Sequence, residues 1–213
     1  MNKIFQMIYA HPLFKGLKNS EVQVILESLH RKTYDREQTV FAMGESQYAI
    51  GFILKGNVTV SKLDYWGNRS IVNVLGKGEI FCESFAFSRV EELPVNVVAH
   101  KDSDILFITG EQFIDFGVRY PQLMKNMMYI LSSKNVFMSQ KMDILSKRKI
   151  RDKVLAFLSM QAQQQRNYRF SIPFNRNELA DYLSVDRSAL SAELSKMRDE
   201  GIIDYHLSEF TIY

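Results

Sequence analysis

From Pro121 to Leu145 the chain runs 25 residues without a glycine or a second proline. Nothing in that stretch breaks a helix. A helix of this length needs partners, because helical stability in water comes mainly from packing an apolar face. Met124, Met128, Leu131, Asn135, Met138, Met142 and Leu145 recur at alternating spacings of four and three. That is the a/d stripe of a coiled coil, with one Asn at an a-type position. Beside it lies a second apolar face: Met127, Ile130, Phe137 and Ile144. Two apolar faces call for two partners. The simplest assignment puts the chain's own sheet domain on one face and a second copy of the helix on the other, with Asn135 setting a parallel, two-stranded register. The competing reading is a long core helix in a monomer. The persistence of the heptad spacing favours the dimer.

Upstream the periodicity is different. Residues 20–30 read as a short amphipathic helix with Ser20 as N-cap and Val24, Ile25, Leu26 and Leu29 on one side. From about Arg31 to Gly110, short runs rich in β-branched and aromatic residues follow one another: TVFAM, AIGFILKG, NVTVSKL, SIVNVLG, EIFCESFAF, VNVVAH and DILFI. Turn residues separate them at Gly44, Gly56, Gly67, Gly76, Gly78 and Asp102. Regularly spaced short strands indicate an antiparallel sandwich or barrel. DYWGNR reads as a hairpin turn, with Gly67 and Asn68 tolerating positive φ.

Composition narrows the classes. The apolar share of 46% and charged share of 24% over 213 residues suit globular domains with real cores. The single Cys82 excludes an internal disulfide and any thiolate-built iron–sulfur or zinc site. Apolar runs are too short for a membrane span, and Met1–Ala10 lacks the apolar stretch of a signal peptide, so the expected location is the cytoplasm. The net charge of +3 permits a nucleic-acid partner without arguing for one.

The argument for one is local. Asn175-Arg176-Asn177-Glu178 fits a capping box, Asp186 can cap a second helix, and a turn of three or four residues separates the two. Leu179, Ala180, Leu183, Val185, Leu190 and Leu194 face inward, with Ala180 small enough for a close crossing. Arg187, Ser188, Ser191 and Ala192 then occupy the exposed start of the second helix, the part that enters the major groove in helix-turn-helix proteins. Gly201 ends this unit, and Ile202–Tyr213 read as a two-stranded wing.

Leu183–Ile203, L-S-V-D-R-S-A-L-S-A-E-L-S-K-M-R-D-E-G-I-I, resembles the winged helix-turn-helix of the CRP/FNR family, and the order of sheet domain, heptad helix and winged helix extends the resemblance through essentially the whole chain. The resemblance implies an α+β chain with an N-terminal antiparallel, jelly-roll-like β-roll over residues 1–120 as the sensor. It implies a dimerisation helix and hinge over 121–146 and a DNA-binding domain over 147–213. It implies a homodimeric bacterial transcription regulator on double-stranded DNA. Arg187, Ser188 and Ser191 are then the base readers, and Arg176, Asn177, Lys196 and His206 the phosphate contacts. Ser188 and Ala192 depart from the best-known members, so the half-site should differ. Activation would need a contact with RNA polymerase, for which the sequence has no motif.

The β-roll resembles the cyclic-nucleotide-binding fold, whose phosphate cassette pairs a turn with an arginine on phosphate and a glutamate on ribose. Here the corresponding residues are Phe81-Cys82-Glu83-Ser84-Phe85, then Leu93-Pro94. Glu83 is kept, but Leu93 stands where the arginine would be. A phosphate buried there would lack its counter-charge, which argues against cyclic AMP. Cys82, Glu83, Ser84, Phe85, Met138 and Ser139 mark the candidate pocket. It either holds a small apolar or cationic effector or is a filled core. No resident cofactor or metal is expected. His11, His30 and His100 read as surface or capping residues rather than haem ligands, and Cys82 as a buried small apolar residue rather than a redox sensor. No nucleophile–base set, phosphate loop or metal-spaced cluster suggests an enzyme. The alternative function is a ligand-binding and dimerisation module that has lost specific DNA binding.

Overall fold

The computed structural model describes residues 3–46, 49–67, 69–88 and 90–213, with nothing said of the side chains of residues 3–5. The chain divides into two compact units, Met1–Asn68 with Val72–Asn135, and Arg69–Ile71 with Val136–Tyr213. The architecture is α+β, with antiparallel sheets first and a helical, winged unit last.

In the N-terminal part of the chain, helices α1 (Lys3–Tyr9) and α2 (Asn19–Glu27) precede strands β1 (His30–Tyr34), β2 (Thr39–Phe41), β3 (Ile50–Lys55), β4 (Asn57–Leu63) and β5 (Arg69–Gly76). Strand β6 (Ile80–Phe81), helix α3 (Glu83–Ala86), strands β7 (Asn96–Ala99) and β8 (Ser103–Ile108), and helices α4 (Gly110–Arg119) and α5 (Pro121–Leu145) follow. Two sheets form, in the orders β1-β8-β3-β6 and β2-β7-β4-β5. The first is covered on both faces. Phe52, Leu54, Leu106 and Ile108 pack with Ile8, Phe14, Val22, Ile25 and Met127 of the helices. Their neighbours Ile53, Ile105 and Phe107 turn the other way, into the core shared with Val58, Val97, Leu93 and Phe81. Side chains alternate across a strand, so burial on both faces produces the continuous apolar run seen in the sequence. Gly51 allows Phe81 to cross β3: a Cβ there would lie 2.1 Å from the Phe81 ring.

Three details differ from the sequence expectation. Helix α2 starts earlier than Ser20: Lys18 is its N-cap, and the Glu21 carboxylate accepts from the Lys18 backbone N–H at 2.8 Å. His30–Tyr34 forms a strand that pairs with β8 from His30↔Phe107 to Tyr34↔Ser103. Its side chains are mostly solvated, so it lacks an apolar alternation to read. EIFCESFAF is only two residues of strand; at Cys82 the backbone turns left-handed (φ 61°), and Glu83–Ala86 close one helical turn. Gly67 has φ 83° in the β4–β5 turn, as expected; Asn68, its partner in that expectation, lies outside the described residues.

Helix α5 carries two kinds of face. Leu123, Asn126, Met127 and Ile144 are buried, and Ile130 and Phe137 half-buried. Asn126 anchors its start: the amide donates to the Leu13 and Lys15 carbonyls at 2.8 Å each, and its oxygen accepts from Gln122. On the heptad stripe, Met128, Asn135 and Met142 are exposed and Met124, Leu131, Met138 and Leu145 half-buried.

The second unit contains α6 (Ile150–Gln165), β9 (Arg169–Ser171), α7 (Arg176–Leu183), α8 (Arg187–Asp199), β10 (Ile203–His206) and β11 (Glu209–Ile212). The strands form a sheet in the order β10-β11-β9, so the expected two-stranded wing gains β9 as a third strand. Val154, Phe157, Leu158, Leu179, Tyr182, Leu183, Leu190, Leu194 and Met197 are buried in the unit's core. The Phe157, Phe174 and Tyr182 rings meet at centroid distances of 4.7 to 6.0 Å. Within this unit the buried Lys141 donates to the Ile71 carbonyl at 2.6 Å and lies 3.8 Å over the Tyr182 ring.

The capping box is present: Asn175 Oδ1 accepts from Glu178 N–H at 3.0 Å, and Glu178 Oε2 accepts from Asn175 N–H at 2.8 Å. Replacing Asn175 with Ala should cost about 1 kcal/mol of local stability. Hydrogen exchange at the α7 amides should then run on the order of fivefold faster, with α6 much less affected.

Candidate functional site

The helix-turn-helix is held by bonds at its helix ends and across its helices. Helix α7 ends at Ser184, in the left-handed region at φ 51°. The Lys153 amine from α6 donates to the last carbonyls, Leu183 O at 3.0 Å and Ser184 O at 3.4 Å, placing a cation at the negative end of the helix. Helix α8 begins at Asp186, whose carboxylate accepts from Ala189 N–H at 2.9 Å. These bonds hold the Asp186 carboxyl below the usual range, the Ser188 hydroxyl bond being the largest cause. At the far end, Gly201 (φ 73°) closes α8 while Ile202 N–H returns to Met197 O. Arg151 locks α6 to α8 through Glu193 (2.6 Å) and Glu200 (2.8 Å). Sequence reading missed Lys153 and Arg151, because neither lies inside the motif and each acts across the fold.

This frame presents the first turn of α8. Arg187 and Ser188 are exposed, Ser191 is half-buried, and Ala192 is exposed beside it. Ser188 Oγ–H donates to Asp186 at 2.5 Å, which leaves its oxygen lone pairs as the outward function. Asn177, Lys196 and His206 are exposed. Arg176 is not a plain surface cation: its guanidinium stacks over Tyr205 at 4.8 Å. Burial, with Arg187's charge added, lowers its pKa.

In the first unit, the cassette residues are packed. Cys82 and Glu83 are buried, Ser84 is exposed and Phe85 half-buried. Leu93 is fully buried in the same cluster as Phe81, Cys82, Val95 and Val97. A carboxylate at Glu83 demands a cation, and Lys134 of α5 supplies it: Nζ lies 2.7 Å from Glu83 Oε1 and donates to the Ile80 carbonyl at 2.6 Å. Glu83 Oε2 is buried with no hydrogen-bond partner among the described residues. Sequence reading did not single out Lys134, since a lone lysine on a helix gives no sign of which carboxylate it meets. Met138 and Ser139, half-buried and exposed on α5, belong to the second unit. His11 Nδ1 accepts from the Leu13 N–H, and burial aided by Lys134's charge pushes its pKa down to about 4, so the ring is neutral. Among the described residues, no three His, Cys, Asp or Glu side chains gather in a metal-holding group.

Two measurements follow. Burial, then the Glu83 charge, push the Cys82 thiol up to about 12. The thiolate fraction at pH 8 is then on the order of one in ten thousand. A disulfide reagent at pH 8 should leave the native protein unmodified and titrate one thiol after denaturation. Lys134→Met should strand the buried Glu83 and cost roughly 3 kcal/mol, the low end for a broken buried pair since Lys134 is partly exposed. Adding Glu83→Gln should recover most of that loss in the urea midpoint.

Comparison with known proteins joins the two sites. Residues 31–120 match the cyclic nucleotide-binding domain family and residues 152–212 the Crp-like helix-turn-helix domain family. The chain is 26% identical to the cyclic AMP receptor protein of Thermus thermophilus over 192 residues, 90% of this chain and 88% of that one. It is 22% identical to the transcriptional activator protein FnrA of Stutzerimonas stutzeri, over 82% of this chain and 73% of that one. In fold it is similar to the c-di-GMP responsive regulator CLP of Xanthomonas campestris (TM-score 0.76, 16% identity, 92% and 99% of the two chains). It is likewise similar to a CooA mutant from Carboxydothermus hydrogenoformans (TM-score 0.75, 19% identity, 89% and 85%). With a cyclic nucleotide-binding domain followed by a capped and presented Crp-like helix-turn-helix, the chain belongs to the CRP/FNR family of transcriptional regulators.

Proposed function

We propose that this protein is a cytoplasmic, homodimeric, sequence-specific regulator that reads a near-palindromic DNA site. The carrying observation is the first turn of α8, where Arg187 stands exposed on a helix fixed by Asp186, Arg151 and the Leu190–Leu194 core. Arg187 bonds guanine O6 and N7 as a two-pronged donor, and Ser188 and Ser191 contact neighbouring base edges. Arg176, Asn177, Lys196 and His206 hold phosphates, which set position without reading sequence. The exposed stripe of Met128, Asn135 and Met142 on α5 pairs with its copy and sets two recognition helices about one DNA turn, ~34 Å, apart. Residues 1–120 act as sensor, 121–146 as dimer helix and hinge, and 147–213 as DNA reader.

On this reading the effector is a small molecule other than cyclic AMP. Leu93 supplies no charge for a phosphate, and Lys134 already holds the Glu83 carboxylate. Effector binding shifts the population between two orientations of the DNA-reading domains.

Selection of bound DNA from a random pool by the purified protein should enrich a two-fold-symmetric site. Arg187→Ala should lose about 1–3 kcal/mol per half-site on that DNA and relax the base preference at one position, with dimer mass unchanged. Added cyclic AMP should leave the affinity unchanged. Binding that enriches no sequence and vanishes steeply with salt would instead mark a module that has lost specific reading.

A further inference from the structure

Arg176 and Arg187 share an electrostatic oddity. Each is the first residue of its helix, α7 and α8, where the backbone dipole is positive and a cation is disfavoured. Arg176 carries a second penalty, since burial and the charge of Arg187 both act against its protonated form. Among the described residues no carboxylate forms an ion pair with it. The favourable contact it makes is aromatic: its guanidinium carbon lies 4.8 Å from the Tyr205 ring centroid and 5.8 Å from that of Phe210.

Tyr205 does more than hold one arginine. The Arg198 guanidinium lies 5.3 Å from the same ring, while the phenol oxygen is 3.4 Å from Ser195 Oγ. The ring stands in β10, half-buried, 5.7 Å from Phe210 across the hairpin, where the two residues are register partners. One side chain thus joins the start of α7, the C-terminal half of α8 and the wing. A ring face attracts a guanidinium without neutralising it, so Arg176 keeps its charge for an anion outside the protein, whereas Arg198 also meets the Asp199 carboxylate at 3.9 Å. A carboxylate in place of Tyr205 would hold Arg176 equally well but cancel that charge.

We propose that Tyr205 is a positioning residue for DNA binding, holding Arg176 as a ready-made phosphate contact alongside α8. The inference rests on the DNA-reading function proposed above and adds Tyr205 to it. The pre-placement spares the arginine the ordering cost of finding the backbone, and it affects specific and non-specific DNA alike because phosphates carry no sequence.

The test uses the full-length protein on its selected site and on unrelated duplex DNA, titrated over a range of salt. Tyr205→Phe keeps the ring and should bind as the parent does. Tyr205→Leu keeps an apolar side chain but no ring face; it should weaken both DNAs by about tenfold. It should also lower the slope of log K against log salt by about 2 per dimer, one lost phosphate contact per protomer. Arg176→Gln should give the same slope change and, combined with Tyr205→Leu, add little to it. If the leucine variant does not fold, Tyr205→Met takes its place. An unaltered salt slope in a folded, dimeric Tyr205→Leu protein overturns the positioning role while leaving the DNA-reading function standing. A parent protein that shows no sequence enrichment overturns both.

Discussion

A 25-residue helix with two apolar faces organises the rest of the protein. One face of α5 is satisfied within the chain, by Leu123, Asn126 and Met127 near its start and Ile144 near its end. Asn126 is the most specific of these contacts, because its amide spends both hydrogens on carbonyls of the Leu13–Lys15 turn. The other face keeps Met128 and Met142 in solvent at 66% and 71% exposure. Methionines this exposed at heptad spacing have an apolar surface still to bury, and the dimer proposed above buries it.

The same helix decides what the β-roll can hold. Lys134 leaves α5 to meet Glu83 and the Ile80 carbonyl. Leu93 is fully buried, and the Glu83 carboxylate already has an internal cation in Lys134. The second oxygen of that carboxylate lacks a hydrogen-bond partner among the described residues. Cys82 at the turn is shielded by burial and kept protonated by the same carboxylate, so the one thiol in the chain is poorly suited to redox sensing.

In the C-terminal unit, charge is used twice, for structure and for function. Lys153, Arg151 and Asp186 spend theirs on helix ends and helix packing. Among the described residues Arg176 and Arg187 form no ion pair, and the favourable contact of Arg176 is with the Tyr205 ring. A cation at a helix N-terminus is disfavoured, and an anionic partner would relieve that cost.

Much of this was legible from the sequence alone. Local chemistry acts over a few residues, so the capping box at Asn175, the cap at Asp186, the inward set of the helix-turn-helix and the two faces of α5 could all be read from spacing. What spacing could not carry is any contact between residues far apart in the chain. Lys134 with Glu83, Arg151 with Glu193, Lys153 on the Leu183 carbonyl, and Arg176 on Tyr205 each join elements 29 to 51 positions apart. A long flexible cation has no periodic signature, and which partner it meets is set only when the backbone brings one within about 4 Å. For the same reason the solvated strand β1 and the turn at Cys82 escaped: the sheet register decided the first, and a left-handed backbone angle decided the second.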